Sequence, residues 1–142
     1  MILPDANLLL YAYDQSSPFH ARAKAWCERI MSGPAPVILL PAVVFAFVRI
    51  ATHPRVFHEP LAVAEAAARV RAWLARRHVQ LHEMLAEDVE SALRLLESAG
   101  TAGNLSTDAQ IAAVALRLDA EVQTADLDFG RFPQVRHVNP LL

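Results

Sequence analysis

The sequence predicts an α/β domain in three layers, α/β/α, with a short parallel sheet flanked by helices. Short apolar runs alternate with helical segments along the chain, the pattern of strand–helix–strand units. Val37–Leu40 is continuously apolar, as a strand covered on both faces must be, and most of the runs are too short and too apolar for an open antiparallel sheet. With 142 residues, 54% hydrophobic and 20% charged, the chain is sized for one domain over residues 1–142. Such a domain buries roughly two-thirds of its unfolded surface and needs no disulfide or structural metal.

The elements follow in order. Ile2-Leu3 reads as a buried strand ended by Pro4-Asp5, with a helix through Asn7–Ala12. Ser16-Ser17-Pro18 is a turn, and Pro18 suits the first position of a helix running to about Met31. Val37–Leu40 is a strand, and Pro41 opens a helix that must end before Pro54. Pro60–His78 is an alanine-rich helix with Leu61, Glu65, Ala68, Ala72 and Ala75 along one side. Val79–His82 alternates as a strand does, and Glu83–Ser98 is helical. Ser106 is placed to cap a helix Thr107–Leu118 with Asp108 in its first turn. A short strand at Glu121–Thr124, a turn or half-helix at Phe129–Pro133 and a strand at Val135–Val138 complete the chain.

Composition removes several classes of function. Ile30–Val48 carries no charge, but Pro34, Pro36 and Pro41 would break a membrane-spanning helix. The N-terminal Met1–Asp5 has no basic region, so no secretion signal is expected, and the single cysteine, Cys27, fits a reducing cytoplasm. The net charge of −2 gives no global field for nucleic acid. Four glycines provide neither a P-loop nor a dinucleotide fingerprint, and the six histidines never take zinc spacing. Cys27 lies mid-helix and reads as an inert buried thiol. The mean hydropathy of +0.25 is high for so short a chain, which leaves apolar surface for partners. The helices Pro41–Thr52 and Pro60–His78, with Phe45, Phe47 and Trp73, are the expected docking faces.

The remaining chemistry is carboxylate. Asp5 follows the first strand, Asp126 and Asp128 follow the strand ending at Thr124, and Asp108 opens the helix just before that strand. Taken singly, such aspartates are caps and turn formers. Taken together, Asp5, Asp108 and Asp126 stand at matching ends, and ligands of open α/β sheets sit beyond the carboxyl ends of the strands. Crowded carboxylates repel unless a cation neutralises them, and an all-oxygen set selects Mg²⁺ or Mn²⁺. A metal held this way suits phosphodiester hydrolysis. Asn7 is placed to orient Asp5 or to cap its helix. Thr124 is placed to donate to a carboxylate or merely to fill a strand.

The sequence resembles the PIN-domain ribonucleases, in particular the VapC-type toxins. The matching stretches are Pro4-Asp5-Ala6-Asn7-Leu8-Leu9-Leu10-Tyr11-Ala12, Phe47-Val48-Arg49-Ile50-Ala51-Thr52-His53-Pro54-Arg55-Val56-Phe57, Thr107-Asp108-Ala109-Gln110-Ile111-Ala112-Ala113, Thr124-Ala125-Asp126-Leu127-Asp128-Phe129 and Asn139-Pro140-Leu141. The resemblance implies an endoribonuclease toxin of a type II toxin–antitoxin pair, dependent on Mg²⁺ or Mn²⁺ and cleaving structured RNA, with tRNA the favoured class. It implies a homodimer, or a heterotetramer or higher assembly with a cognate VapB-type antitoxin. Asp5, Asp108 and Asp126 would be catalytic and would bind metal with Asp128. Arg49 and Arg55 would meet RNA or the partner, or pair within the fold. The family commonly has a glutamate after the second strand, and Ala46 holds that place here. This leaves an alternative open: a PIN-like module that binds RNA or antitoxin without efficient cleavage. A phosphoacceptor domain ranks last, because Lys24, the one lysine, is misplaced for it.

Overall fold

The computed structural model describes residues 1–142. Five strands, β1 (Ile2–Pro4), β2 (Val37–Leu39), β3 (Val79–Leu81), β4 (Glu121–Gln123) and β5 (His137–Val138), form one sheet in the order β3-β2-β1-β4-β5. Every pairing is parallel. The expected parallel sheet flanked by helices is therefore present. Leu3, Val37, Ile38, Leu39 and Val122 are fully enclosed, the fate expected of continuously apolar strands. The chain lays down β1, β2 and β3 on one side and then crosses back to add β4 and β5 on the other. The topological switch point thus falls between β1 and β4, where Pro4 is in register with Gln123.

Six helices cover the sheet: α1 (Ala6–Tyr11), α2 (His20–Ser32), α3 (Pro41–Ala51), α4 (Val63–Leu74), α5 (Ala86–Ala99) and α6 (Ser106–Leu118). None is long and apolar enough to cross a membrane. Pro41 opens α3 as expected, and Gly100 closes α5 at φ 77°, a left-handed position that glycine adopts without strain. Helices α5 and α6 pack against each other, and Asp88 of α5 reaches Arg117 of α6. The Asp88 carboxylate is 1% exposed; it accepts from Arg117 Nε at 2.8 and 3.0 Å and from Leu85 N–H at 2.8 Å. Burial alone would raise its pKa, yet the guanidinium and the amide together hold it below the ordinary value.

Several helix starts differ from expectation. Helix α2 begins at His20, because Ser17 Oγ takes Phe19 N–H in a local turn and Pro18 stays outside the helix. Ser106 lies inside α6, since a 3₁₀ turn at Gly103–Leu105 feeds directly into it. In α4 the buried residues are Ala66 and Trp73, seven apart, while Glu65 and Ala68 face solvent. The core decides that face. Trp73 packs 4.8 Å from Phe47 and 6.1 Å from Tyr13, with its indole N–H directed to the Tyr13 hydroxyl at 3.3 Å. Phe47 and Trp73 are therefore core anchors and not docking faces; of the three aromatics expected outside, only Phe45 is exposed. Cys27 is buried against this cluster, and burial pushes its thiol up to about 11, which makes it the inert thiol expected.

Candidate metal centre

The site is built at the switch point, where β1 and β4 run out side by side. The β1–β4 ladder continues one step past the strands, as Asp5 N–H donates to Gln123 O at 2.9 Å. That bond brings Asp5 to the carboxyl end of β1 beside Thr124 at the end of β4. Asp5 Oδ2 accepts from Thr124 Oγ at 2.8 Å and from Asn7 Nδ2 at 3.3 Å, and Oδ1 accepts from Ala6 N–H at 2.7 Å. The Thr124 hydroxyl oxygen in turn accepts Asp126 N–H at 2.9 Å, and Asn7 Oδ1 accepts Ala125 N–H at 3.3 Å. Thr124 and Asn7 thereby tie the two strand ends into one unit. Both sequence alternatives for Thr124 are realised at once, for it fills a buried position and donates to a carboxylate.

Asp126 caps the 3₁₀ turn Leu127–Arg131 by accepting Asp128 N–H on Oδ1 at 2.8 Å. The turn folds Asp128 back towards Asp126, while the first turn of α6 delivers Asp108 from the opposite side. One carboxylate oxygen from each of Asp108, Asp126 and Asp128 lies within 4.8 Å of the others. Asp5 stands behind this trio, close enough to be felt by Asp108 and to feel Asp126. Asp128, expected as an accessory, is one of the three residues that meet this distance, and Asp5 lies beside them, joined through Thr124. The signal for Asp128 lay in Asp126-Leu127-Asp128, because a capped single turn returns the second aspartate to the first. Arg49 stands on α3 in a depression that also touches Thr107, the neighbour of Asp108. Arg55 sits in the exposed turn after α3, its backbone N–H held by His53 Nδ1, and nothing ties it to the carboxylates.

Electrostatics fit a cation. Asp108 is 7% exposed. Burial, then the charges of Asp5, Asp126 and Asp128, push its carboxyl up to about 7. Asp5 is also raised, mainly by burial and against the pull of Thr124 and Ala6. All donors are oxygens, so the cluster can hold a hard divalent ion.

This shift has a measurable sign. Between the ordinary carboxylate pKa and about 7, the folded protein holds a proton on Asp108 that the unfolded chain has lost. Metal-free stability therefore falls as pH rises through that window and levels off above it. Asp108→Asn removes the effect. The variant is expected to melt on the order of 5 °C above wild type at pH 8 without metal, with the gap closing near pH 4. Metal binding needs the carboxylate, so wild-type affinity for a divalent ion rises through pH 7, which calorimetric titration reads directly.

Comparison with known proteins agrees with this geometry. Residues 2–135 match the PIN domain. The chain is 43% identical to Ribonuclease VapC33 of Mycobacterium tuberculosis over 141 residues, 99% of each chain. Among solved structures, it matches the toxin VapC20 of Mycobacterium tuberculosis with a TM-score of 0.71 at 20% identity, covering 96% of this chain and 99% of that one. VapBC-1 from nontypeable Haemophilus influenzae matches with a TM-score of 0.71 at 16% identity over 100% of both chains. Full-length identity at this level, on a sheet whose switch point gathers the four aspartates, means that the chain belongs to the PIN domain family and, within it, to the VapC-type ribonucleases.

Proposed function

We propose that the protein is the toxin of a type II toxin–antitoxin pair, a single-domain endoribonuclease of the cytoplasm that cleaves structured RNA with Mg²⁺ or Mn²⁺. The observation that carries this reading is the cluster of Asp108, Asp126 and Asp128, backed by Asp5, at the switch point of the sheet. A divalent ion bound there would activate a water and offset phosphate charge. The chain's own residues supply the rest. Asp126 and Asp128 offer oxygens from one rigid turn, and Asp108 adds a third once its proton leaves. Thr124 and Asn7 fix the Asp5 carboxylate, so that it need not reorganise during reaction. Structured RNA is favoured because VapC20 is described as a sarcin–ricin loop cleaving toxin; tRNA is the first substrate class to test beside it. A VapB-type antitoxin is the expected partner, by likeness to the VapBC and FitAB complexes, with a homodimer or a toxin–antitoxin heterotetramer as the assembly.

Purified protein stripped with EDTA should cleave no RNA and should regain activity with Mg²⁺ or Mn²⁺. Cleavage that persists in EDTA overturns the reading. Ala46 supports a second reading, a module that binds without efficient cleavage, since no carboxylate stands at that place on α3. Ala46→Glu separates the two. Little change in kcat is expected from a site complete with four aspartates. A gain in kcat of about tenfold or more, ~1.4 kcal/mol of transition-state stabilisation, would mark a weakened site.

A further inference from the structure

Helix α3 is apolar on almost every side, and the core takes only one of them, through Val43, Val44, Phe47 and Ala51. On another side Ala42, Phe45, Ala46 and Arg49 follow one another at i, i+3, i+4 and i+7, the spacing of a continuous helix face. With Val48 and Thr107 they line a shallow depression of about 450 Å³. Phe45 is 67% exposed and pairs with no other aromatic ring, unlike Phe47 on the covered face. Arg49 is exposed and joins none of the three ion pairs in the chain. Thr107, on the rim of the depression, immediately precedes Asp108 in the first turn of α6.

We propose that this depression is a nucleobase subsite of the ribonuclease: an unpaired base next to the scissile phosphate stacks on Phe45 over the floor of Ala42 and Ala46, and Arg49 takes an adjoining phosphate. The inference rests on the ribonuclease reading and adds where the substrate is gripped. Three features match one nucleotide. A free ring face suits a planar base, small alanines leave room above the helix, and an unpaired guanidinium suits the phosphate that must accompany any base. Unpaired bases are also where proteins read structured RNA. Continuity with the carboxylates gives the direction, because a chain whose phosphate lies at Asp108 passes the Thr107 rim with its next base.

The test compares Phe45→Ala, Phe45→Leu, Phe45→Trp and Arg49→Ala in the full-length protein. One arm measures fluorescence quenching of a single-stranded oligoribonucleotide carrying 2-aminopurine, in metal-depleted buffer. The other measures kcat and KM for RNA cleavage with Mn²⁺. Phe45 is exposed, so the variants should fold, which gel filtration and melting verify. Phe45→Ala is expected to abolish quenching and to raise Kd and KM about tenfold, within the range of stacking on one aromatic face, with kcat little changed. Phe45→Trp should restore both, Phe45→Leu neither, and Arg49→Ala should weaken binding while steepening no dependence on salt. Quenching and KM that ignore Phe45 overturn the subsite while metal-dependent cleavage leaves the ribonuclease reading standing. Equal function of Phe45→Leu also overturns it, as does conversion of a dimer to monomers by Phe45→Ala, which would assign the face to a second copy. Absence of metal-dependent cleavage by the wild type would instead sink the ribonuclease reading, and the quenching arm then decides the subsite alone.

Discussion

Asp126→Asn is expected to lower kcat/KM for metal-dependent RNA cleavage by roughly a thousandfold, the scale seen when a preorganised charged group is lost from an active site. The substitution is clean for a structural reason. Asp126 uses Oδ1 to accept Asp128 N–H and its own N–H to reach Thr124 Oγ, and an asparagine keeps both bonds. Only the negative charge and one potential metal oxygen are removed. The 3₁₀ turn should persist, and the melting temperature without metal should stay level or rise as repulsion on Asp108 eases. The stabilisation that Mg²⁺ or Mn²⁺ gives the wild type should shrink in the same variant. Wild-type cleavage rates in Asp126→Asn would remove Asp126 from the centre. Asp5→Asn should also abolish cleavage, but with a cost to folding, because its amide nitrogen must face one of three donors, Ala6 N–H, Thr124 Oγ–H or Asn7 Nδ2.

Arg117→Ala is expected to destabilise the fold by about 3 kcal/mol, the usual result of stranding a buried charge. Asp88, 1% exposed in the wild type, would keep the Leu85 amide as its one partner. The reverse truncation should cost less, because Arg117 is 24% exposed and can turn to water, although Asp88→Ala also removes the cap of α5. Urea melts should therefore rank Arg117→Ala below Asp88→Ala. The carboxyl of Asp88 titrates below its ordinary value, so the contribution of the pair is present above that value and is lost as pH falls through the lowered one. Arg117→Ala should accordingly flatten the acid limb of the stability curve. A double substitution of both residues by leucine should recover much of the loss, since removing both charges strands neither.

Strands β1 and β2 were legible because each is a continuous apolar run, β3 because it alternates, and β1 and β4 could be matched because an aspartate follows closely after each of them. Asp5, Asp108 and Asp126 were visible as strand-end and helix-start residues for the same reason. Other features depended on particular side-chain partners, near or far in sequence. Helix α2 starts at His20 because the nearby Ser17 hydroxyl takes the Phe19 amide, a choice that Pro18 in isolation does not disclose. The buried face of α4 was chosen by Tyr13 and Phe47 and not by the alanine pattern. Phe45 and Phe47 are two residues apart on a helix that is apolar nearly all round, so composition could not say which points outward. The bond from Thr124 to Asp5 spans 119 residues, so spacing along the chain could not disclose it.

That same bond sets a timetable for the protein during its synthesis. Asp5 is among the first residues made, but its partner Thr124 and the turn carrying Asp126 and Asp128 come near the end. A growing chain on the ribosome therefore holds one aspartate without the others, and β1 has no β4 to pair with. The carboxylates first meet once the last fifth of the chain has emerged and docked. The carboxylate cluster is therefore a late product of folding, complete only after β4 has docked beside β1.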